Sequence, residues 1–373
     1  MKIKSVTAKW LHVPIPLEQQ HVSDFGQVAS FDSVLVSVET ECGLIGYGEA
    51  KEEVGSEGNS YALVAAIEHK FGAALIGEDP RDIMRITELM YNGCRGHYAI
   101  DHGHVFPILG RRGISVSAMS GIDMALWDLL GKSLDQPVWR LLGGRKAPTM
   151  EAYASGGWAD ADGIGEQLLS YVRRDPVNSA RRVKAAREAL GPDIGLACDA
   201  HGTYTVSQAK QFCRLVEDCN LMWFEEPVTG DDKRGMAEVR ASTAIPIAAG
   251  ESEFNRYDFR DLAELRAADI FQPDLAICGG ITEAVRIGAL ASAFNLRMAP
   301  HLWTGALAFS AGMHVAASSP AGFILEYSLG ANPLLHELAE ESFTVQDGRI
   351  EIPDRPGLGL TINQDFVNRY AVA

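Results

Sequence analysis

The sequence predicts an α+β domain followed by a parallel (β/α) barrel. Up to Lys146 the residue pattern passes from strand-like alternation to helical periodicity, and beyond it short apolar runs alternate with helical segments. Six chemically active side chains then recur at the ends of those runs with nearly constant spacing. The chain has 373 residues, 47% of them apolar, which is ample for a buried core. A single barrel takes about 250 residues, so a second domain is expected from length alone.

Ile3–Val13 alternates and is stopped by Pro14 and Pro16, Ser33–Thr40 alternates again, and a turn at Gly43 leads into Leu44–Glu49. The polar stretches Glu18–Ser30 and Lys51–Asn59 read as mobile loops. Helical periodicity covers Tyr61–Leu75, Pro80–Met90, Ser115–Lys132 and Val138–Leu142, with Asn92–Arg112 irregular between them. In the second half, Glu151–Ser155, Ile194–Asp199, Leu221–Glu225, Pro246–Gly250, Ile270–Gln272, Leu296–Pro300 and Phe323–Glu326 read as strands. Arg349–Ile352 (RIEI) reads as a short strand returning to the first domain.

The net charge of −16 and the lack of a Lys/Arg cluster argue against nucleic acid as a partner. An anionic substrate would be repelled unless a bound cation reverses the local field. Cysteines at 42, 94, 198, 213, 219 and 278 form no CxxC pair, which suits a reducing compartment. The N-terminal MKIKSVTAKWLHVPIPL lacks the apolar stretch of a signal peptide, and no run approaches the ~18 apolar residues of a membrane span. A soluble cytoplasmic protein is expected.

Asp199, Glu225, Glu251, Asp274, His301 and Glu326 follow one another at intervals of 26, 26, 23, 27 and 25 residues. One βα unit of a barrel takes about 25–30 residues, so these groups occupy one position in successive units, at the rim where barrel active sites form. A single acid at a strand end is commonly a helix cap, but several in register would repel one another and call for a cation. Asp199, Glu225 and Glu251, with no His or Cys among them, suit Mg²⁺. Asp274 can fix the tautomer of His301 on the neighbouring unit and leave its other nitrogen as a base. Glu326 would order a substrate oxygen. His201, two residues after Asp199, would face the same cavity on an extended strand and is a candidate second acid or base.

Other motifs are weaker. His102-Gly-His104 has metal-pair spacing but lacks further ligands. Gly279-Gly280-Ile281-Thr282 could cradle a phosphate, although a βα turn with Thr282 as helix cap is the simpler reading. GRRG at 110–113 and Arg181-Arg182 read as solvated faces or ion-pair partners.

Together, CDAHG around Asp199, WFEEP around Glu225, GES at Glu251, QPD at Asp274 and APH at His301 resemble the enolase superfamily, in its mandelate racemase-like branch. The resemblance implies an α+β capping domain plus an α/β modified TIM barrel, (β/α)7β-like. The cap would span residues 1–145 with a C-terminal return over 340–373, and the barrel 146–339. It implies one Mg²⁺ per active site on Asp199, Glu225 and Glu251, a His301–Asp274 dyad, Glu326 near the developing enolate, and cap loops that select the substrate. The His of CDAHG is similar to that of acid-sugar dehydratases, which implies β-elimination of water from a small anionic sugar acid to give a 2-keto-3-deoxy acid. An acid-sugar racemase or epimerase, or a catalytically silent ligand-binding member, are the alternatives. A homo-oligomer is expected from the family habit.

The chain departs from the family in one place. No Lys-x-Lys follows a second barrel strand, and Lys184 sits in the helical RRVKAARE. Either Leu168–Arg174 is a short atypical strand or a segment is missing from the sequence near Val172–Pro176, and the second explanation is favoured. Unbroken Cα spacings of about 3.8 Å through Ser170–Val177 would exclude it.

Overall fold

The computed structural model describes residues 1–373 except 18–19, 24–25, 53–58, 104–109, 156–174, 331 and 373. The N-terminal alternation forms β1 (Ile3–Pro14), followed by β2 (His21–Ser23), β3 (Gly26–Val28), β4 (Ser30–Thr40) and β5 (Ile45–Ala50). A three-stranded antiparallel sheet of order β1-β4-β5 results. Within Glu18–Ser30, expected as loop, β2 and β3 form a small antiparallel ladder. The expected loop Lys51–Asn59 lies mostly outside the described residues.

Helical periodicity begins where expected, with α1 (Tyr61–Ala65) continuing through a π-helical stretch, Ala66–Gly72, to Ala73–Leu75. Helix α2 (Ile83–Asp101) runs past a kink at Gly93 into the stretch expected to be irregular, and α3 is Ile114–Leu134. Gly46 and Gly48 explain how α3 seats on β5: a Cβ at either would collide with the carbonyl oxygens of Ala125 and Gly121. The sheet and helices close on a core of Val34, Val36, Leu63, Ile67, Ile122 and Leu126.

The second half forms β6 (Thr149–Ser155), α4 (Pro176–Leu190), β7 (Cys198–Asp199), α5 (Val206–Leu215), β8 (Phe224–Glu225), α6 (Lys233–Arg240), β9 (Ile247–Ala249), α7 (Asn255–Glu264), β10 (Ile270–Phe271), α8 (Gly280–Ala293), β11 (Arg297–Met298), α9 (Ala306–Ser318) and β12 (Ile324–Ser328). Strands β7 to β11 pair in parallel and in sequence order, and β12 pairs in parallel with β6. A parallel bridge from Met298 to Gly322 joins the two sets. The second-strand segment Leu168–Arg174, and most of the Ser170–Val177 stretch that would test for a missing piece, lie outside the described residues. From Asp175 the path is clear, because its side chain caps α4 by accepting from the Val177 N–H at 3.0 Å. Lys184 lies on that helix, 3.2 Å from Asp218.

RIEI does not return to the first domain. With β13 (Val345–Gln346) it forms a hairpin, and as β14 (Arg349–Glu351) it pairs antiparallel with Thr149–Glu151 of the barrel strand β6. Pairing satisfies the β6 edge and buries Ile350. The tail beyond it does reach the cap: the Val138 N–H donates to the Gly357 carbonyl at 3.0 Å, and after α10 (Gln364–Tyr370) the Val372 N–H donates to the Trp10 carbonyl at 2.9 Å.

Buried cap carboxylates fix the cap to the barrel. Asp123 accepts from the Thr282 N–H at the start of α8 at 2.8 Å, which corrects the expectation that Thr282 caps that helix and fills the place where a phosphate would sit. Asp128 accepts from the Leu358 and Tyr47 N–H groups at 2.9 and 2.8 Å. In GRRG, Arg112 pairs with Asp258 of α7 at 2.8 Å.

His314, fully buried in α9, accepts from the Trp139 N–H through Nδ1 at 3.3 Å. Burial pushes its imidazole down to about 3 from the ordinary 6.5. The folded state therefore keeps it neutral while the unfolded chain takes a proton below pH 6.5, so stability is lost as pH falls from there toward the folded value. At pH 5 this amounts to about 2 kcal/mol. Denaturant titrations of His314→Gln should show an acid loss smaller by that amount; equal pH slopes in both proteins would contradict it.

Candidate active site

Asp199 ends β7 and Glu225 ends β8, each held in register by the parallel ladder. Glu251 stands two residues beyond β9, Asp274 three beyond β10 and His301 three beyond β11. Glu326 lies inside β12, paired with Tyr153, because that strand runs on to Ser328. The structure thus brings all six spaced residues to one end of the barrel. A cavity of about 700 Å³ lined by Trp223, Arg240, Asp269, Phe294, Arg297 and Phe323 opens at the opposite, strand-start end, away from the carboxylates.

One oxygen each from Asp199, Glu225 and Glu251 lies within 4.8 Å of the others. Glu225 and Glu251 are 8% and 2% exposed, whereas Asp199 faces the mouth. Trp223 Nε1 donates to Glu225 Oε2 at 3.0 Å, but Glu251 Oε1 is buried with no hydrogen-bond partner among the described residues. Burial raises the Glu225 carboxyl well above its ordinary value, with the charges of Asp199, Glu251 and Glu326 adding to the effect. Burial likewise raises Glu251, with His301 opposing and Asp199 reinforcing. Buried, mutually repelling oxygens with an unused acceptor form a donor set suited to a hard divalent cation.

His301 Nδ1 lies 2.9 Å from Asp274 Oδ2, and the Ala276 N–H holds the other Asp274 oxygen at 2.7 Å. The carboxylate only accepts, so Nδ1 carries the proton and Nε2 is turned to the trio, 3.4 Å from Glu251 Oε2. Burial lowers the His301 pKa, but the facing Glu251, the Asp274 bond and Glu326 outweigh it and raise the imidazole to about 10. Positive charge added at the trio would offset the pull of Glu251 and bring that value down. Glu326 Oε2 accepts from the Leu302 N–H at 2.6 Å, tying β12 to the residue after His301.

His201 reaches the site, though not by strand alternation. β7 ends at Asp199, and His201 sits in a left-handed turn (φ 43°) that brings Nε2 within 2.7 Å of Asp199 Oδ2. In the HxH pair, His102 Nδ1 contacts the Tyr98 carbonyl one turn back at 2.7 Å, and His104 lies outside the described residues. The regular spacing does not reveal Glu226, whose backbone is also left-handed (φ 35°) and whose carboxyl is raised well above normal by burial and by Glu251 and Asp199. The doubled acid of WFEEP was its only signal. Nor does the spacing reveal Tyr153, half-buried and paired with Glu326 across the ladder, or Glu49 and Lys51, cap residues bonded to the loop after His301.

Residues 5–143 match the mandelate racemase/muconate lactonizing enzyme N-terminal domain, and residues 156–366 match the enolase C-terminal domain-like family. The chain belongs to the mandelate racemase/muconate lactonizing enzyme family. Its fold is accordingly the family's capping domain on an enolase-like TIM barrel. Relatives in the family include a D-galactarolactone cycloisomerase of Agrobacterium fabrum, 32% identical over 361 residues, and a D-galactonate dehydratase of Cronobacter sakazakii, 33% identical over 360 residues; each match covers 90% of both chains. A racemase of Streptomyces coelicolor, solved with bound magnesium, superposes with a TM-score of 0.83 at 28% identity, covering 99% of this chain and 100% of that one. The described part of the chain contains no helix long and apolar enough to cross a membrane.

The raised carboxyls set a stability test. Glu225 and Glu251 hold protons in the folded state above the ordinary 4.5, so their burial removes stability as pH rises from that value through the raised ones. A divalent cation needs the deprotonated set, so its stabilising effect should grow over the same range. Adding Mg²⁺ to chelator-treated protein should raise Tm more at about pH 8 than at about pH 5, with about 2.7 kcal/mol gained at 100 times Kd. Glu225→Gln should raise Tm of the metal-free protein and abolish the increment. A Mg²⁺ increment independent of pH would contradict this.

Proposed function

We propose that the protein is a Mg²⁺-dependent acid-sugar dehydratase, removing the proton α to a carboxylate and expelling the β-hydroxyl as water to leave a 2-keto-3-deoxy acid. The observation that carries the reading is the aim of His301, fixed at Nδ1 by Asp274 and turned at Nε2 toward the carboxylate trio. Asp199, Glu225 and Glu251 would hold the cation, which when bound supplies positive charge against the charge developing on the substrate carboxylate.

The chain's own residues carry the proton steps. His301 Nε2 takes the α-proton, and Asp274 stabilises the imidazolium through the Nδ1–H bond. The electron pair of the broken C–H bond forms the carbon–carbon double bond as the β C–O bond breaks. His201, at the mouth beside Asp199, gives the leaving hydroxyl a proton so that water departs. The enol then becomes the keto acid by taking a proton at the β-carbon and releasing the one on its own oxygen. Glu326, anchored on the Leu302 N–H, orders a substrate oxygen. Replacing water by fixed groups at this buried end makes each contact stronger than in solution.

The cycloisomerase among the relatives favours a second reading, in which the same His301 step serves an isomerisation or epimerisation without loss of water. Product separates the two. A panel of aldonic and aldaric acids with Mg²⁺ should yield a semicarbazide-reactive keto acid; solvent deuterium entering the α-position with no keto acid would favour isomerisation. His301→Asn should lower kcat by about 10²–10⁴-fold, and unchanged turnover would remove His301 as the base.

A further inference from the structure

The loop that carries His301 is anchored at every position from 301 to 305. His301 bonds Asp274, and the Leu302 N–H donates to Glu326. Lys51 Nζ donates to the Trp303 carbonyl at 3.2 Å, and Asn332 Nδ2 donates to the Thr304 carbonyl at 2.9 Å. The remaining bonds converge on one cap side chain, Glu49, at the end of β5. Its Oε1 accepts from the Gly305 N–H at 2.8 Å and the Thr304 hydroxyl at 3.1 Å, and its Oε2 accepts from the Ala308 N–H at 3.1 Å. The Ser33 hydroxyl, 2.9 Å from Oε1, holds the carboxylate from the cap side.

Two further observations separate this carboxylate from an ordinary helix cap. It comes from the other domain and is 1% exposed, at the start of the helix that follows His301. Gly305 makes room for it, since a Cβ there would lie 2.6 Å from Oε1 and 2.8 Å from Oε2. Lys51, two residues on, also donates its own N–H to the carbonyl of Ala276 at 3.2 Å, so the same cap strand end reaches the loop that follows Asp274.

We propose that Glu49 is a positioning residue for His301: the cap, through this carboxylate, sets where the imidazole stands over the carboxylate trio. The inference deepens the dehydratase reading and rests on His301 being its base. All four groups facing Glu49 donate to it, and a glutamine of the same shape would turn its NH₂ against the Gly305 N–H at one oxygen position or the Ala308 N–H at the other. The Thr304 and Ser33 hydroxyls can turn to accept, but a backbone N–H cannot, so one N–H of the loop loses its acceptor either way. The loop would then shift, and displacement of a reacting group by about 1 Å costs up to 10²-fold in rate.

The test compares Glu49→Gln with Asp128→Asn, which removes a buried cap carboxylate remote from the His301 loop, using D-galactonate and Mg²⁺ as probes. Glu49→Gln should lower kcat about 10- to 100-fold while KM and the calorimetric Mg²⁺ affinity stay within about two-fold. Amide exchange over 302–308 should accelerate, and the His301 ring resonances of histidine-labelled protein should move, both without need of turnover. Asp128→Asn should lower Tm and leave kcat and these resonances unchanged. Should Glu49→Gln fail to fold, Glu49→Asp and Gly305→Ala serve: each alone should slow turnover, and together they should recover part of kcat, because the shorter acid leaves space for the added methyl. Wild-type exchange over 302–308 in Glu49→Gln, or an equal loss of kcat in Asp128→Asn, would overturn the proposal. Unchanged turnover in His301→Asn would instead overturn the reading beneath it.

Discussion

The molecule is organised by the requirement that a buried carboxylate find donors or a counter-charge. The cap meets it with barrel backbone. Asp123 sits on the Thr282 N–H in the first turn of α8, Glu49 on the Gly305 and Ala308 N–H groups at the start of α9, and Asp128 between β5 and the C-terminal segment. Helix N-termini present unpaired N–H groups and a favourable dipole, so each acid docks the cap and completes a barrel helix at once. Both α8 and α9 follow loops that bear the dyad, so domain docking and site geometry share the same bonds.

The same requirement divides the acids of this chain into two kinds. Glu49 is as buried as any residue of the trio, yet four donors surround it. Glu251 has an oxygen with none among the described residues, and the larger influences on Glu225 after burial are other carboxylates. Acids of the first kind are complete as folded. Those of the second form a set that could hold a cation, and that contrast, more than their number, sets this end of the barrel apart.

This distinction also explains what could be read without coordinates. The spacing of Asp199, Glu225, Glu251, Asp274, His301 and Glu326 gives the barrel because one βα unit is a nearly fixed length of chain. Contacts between units left no such trace. Glu49 meets Gly305 across 256 positions, and its GEA context reads only as a strand end. His201 was assigned toward the cavity by alternation along a strand that had already ended, and a left-handed turn brings it there by another path. RIEI has the pattern of a strand, but that pattern does not name its partner, which here is β6. Glu226 was hidden beside Glu225, where only the backbone reversal shows that both acids turn inward.

The pairing of β14 with β6 bears on how the molecule comes to be folded. Arg349 meets Thr149 across 200 residues, so the edge of the first barrel strand is covered only after almost all of the barrel has been made and arranged. Contacts this distant in sequence form late, because the entropy of closing so long a loop comes before any gain from the ladder. Until then β6 offers a bare row of backbone donors and acceptors to any neighbouring chain. Crowded synthesis is therefore the condition under which this chain is most exposed to mispairing, and the tail from Val345 to Glu351 is the segment whose arrival ends that exposure.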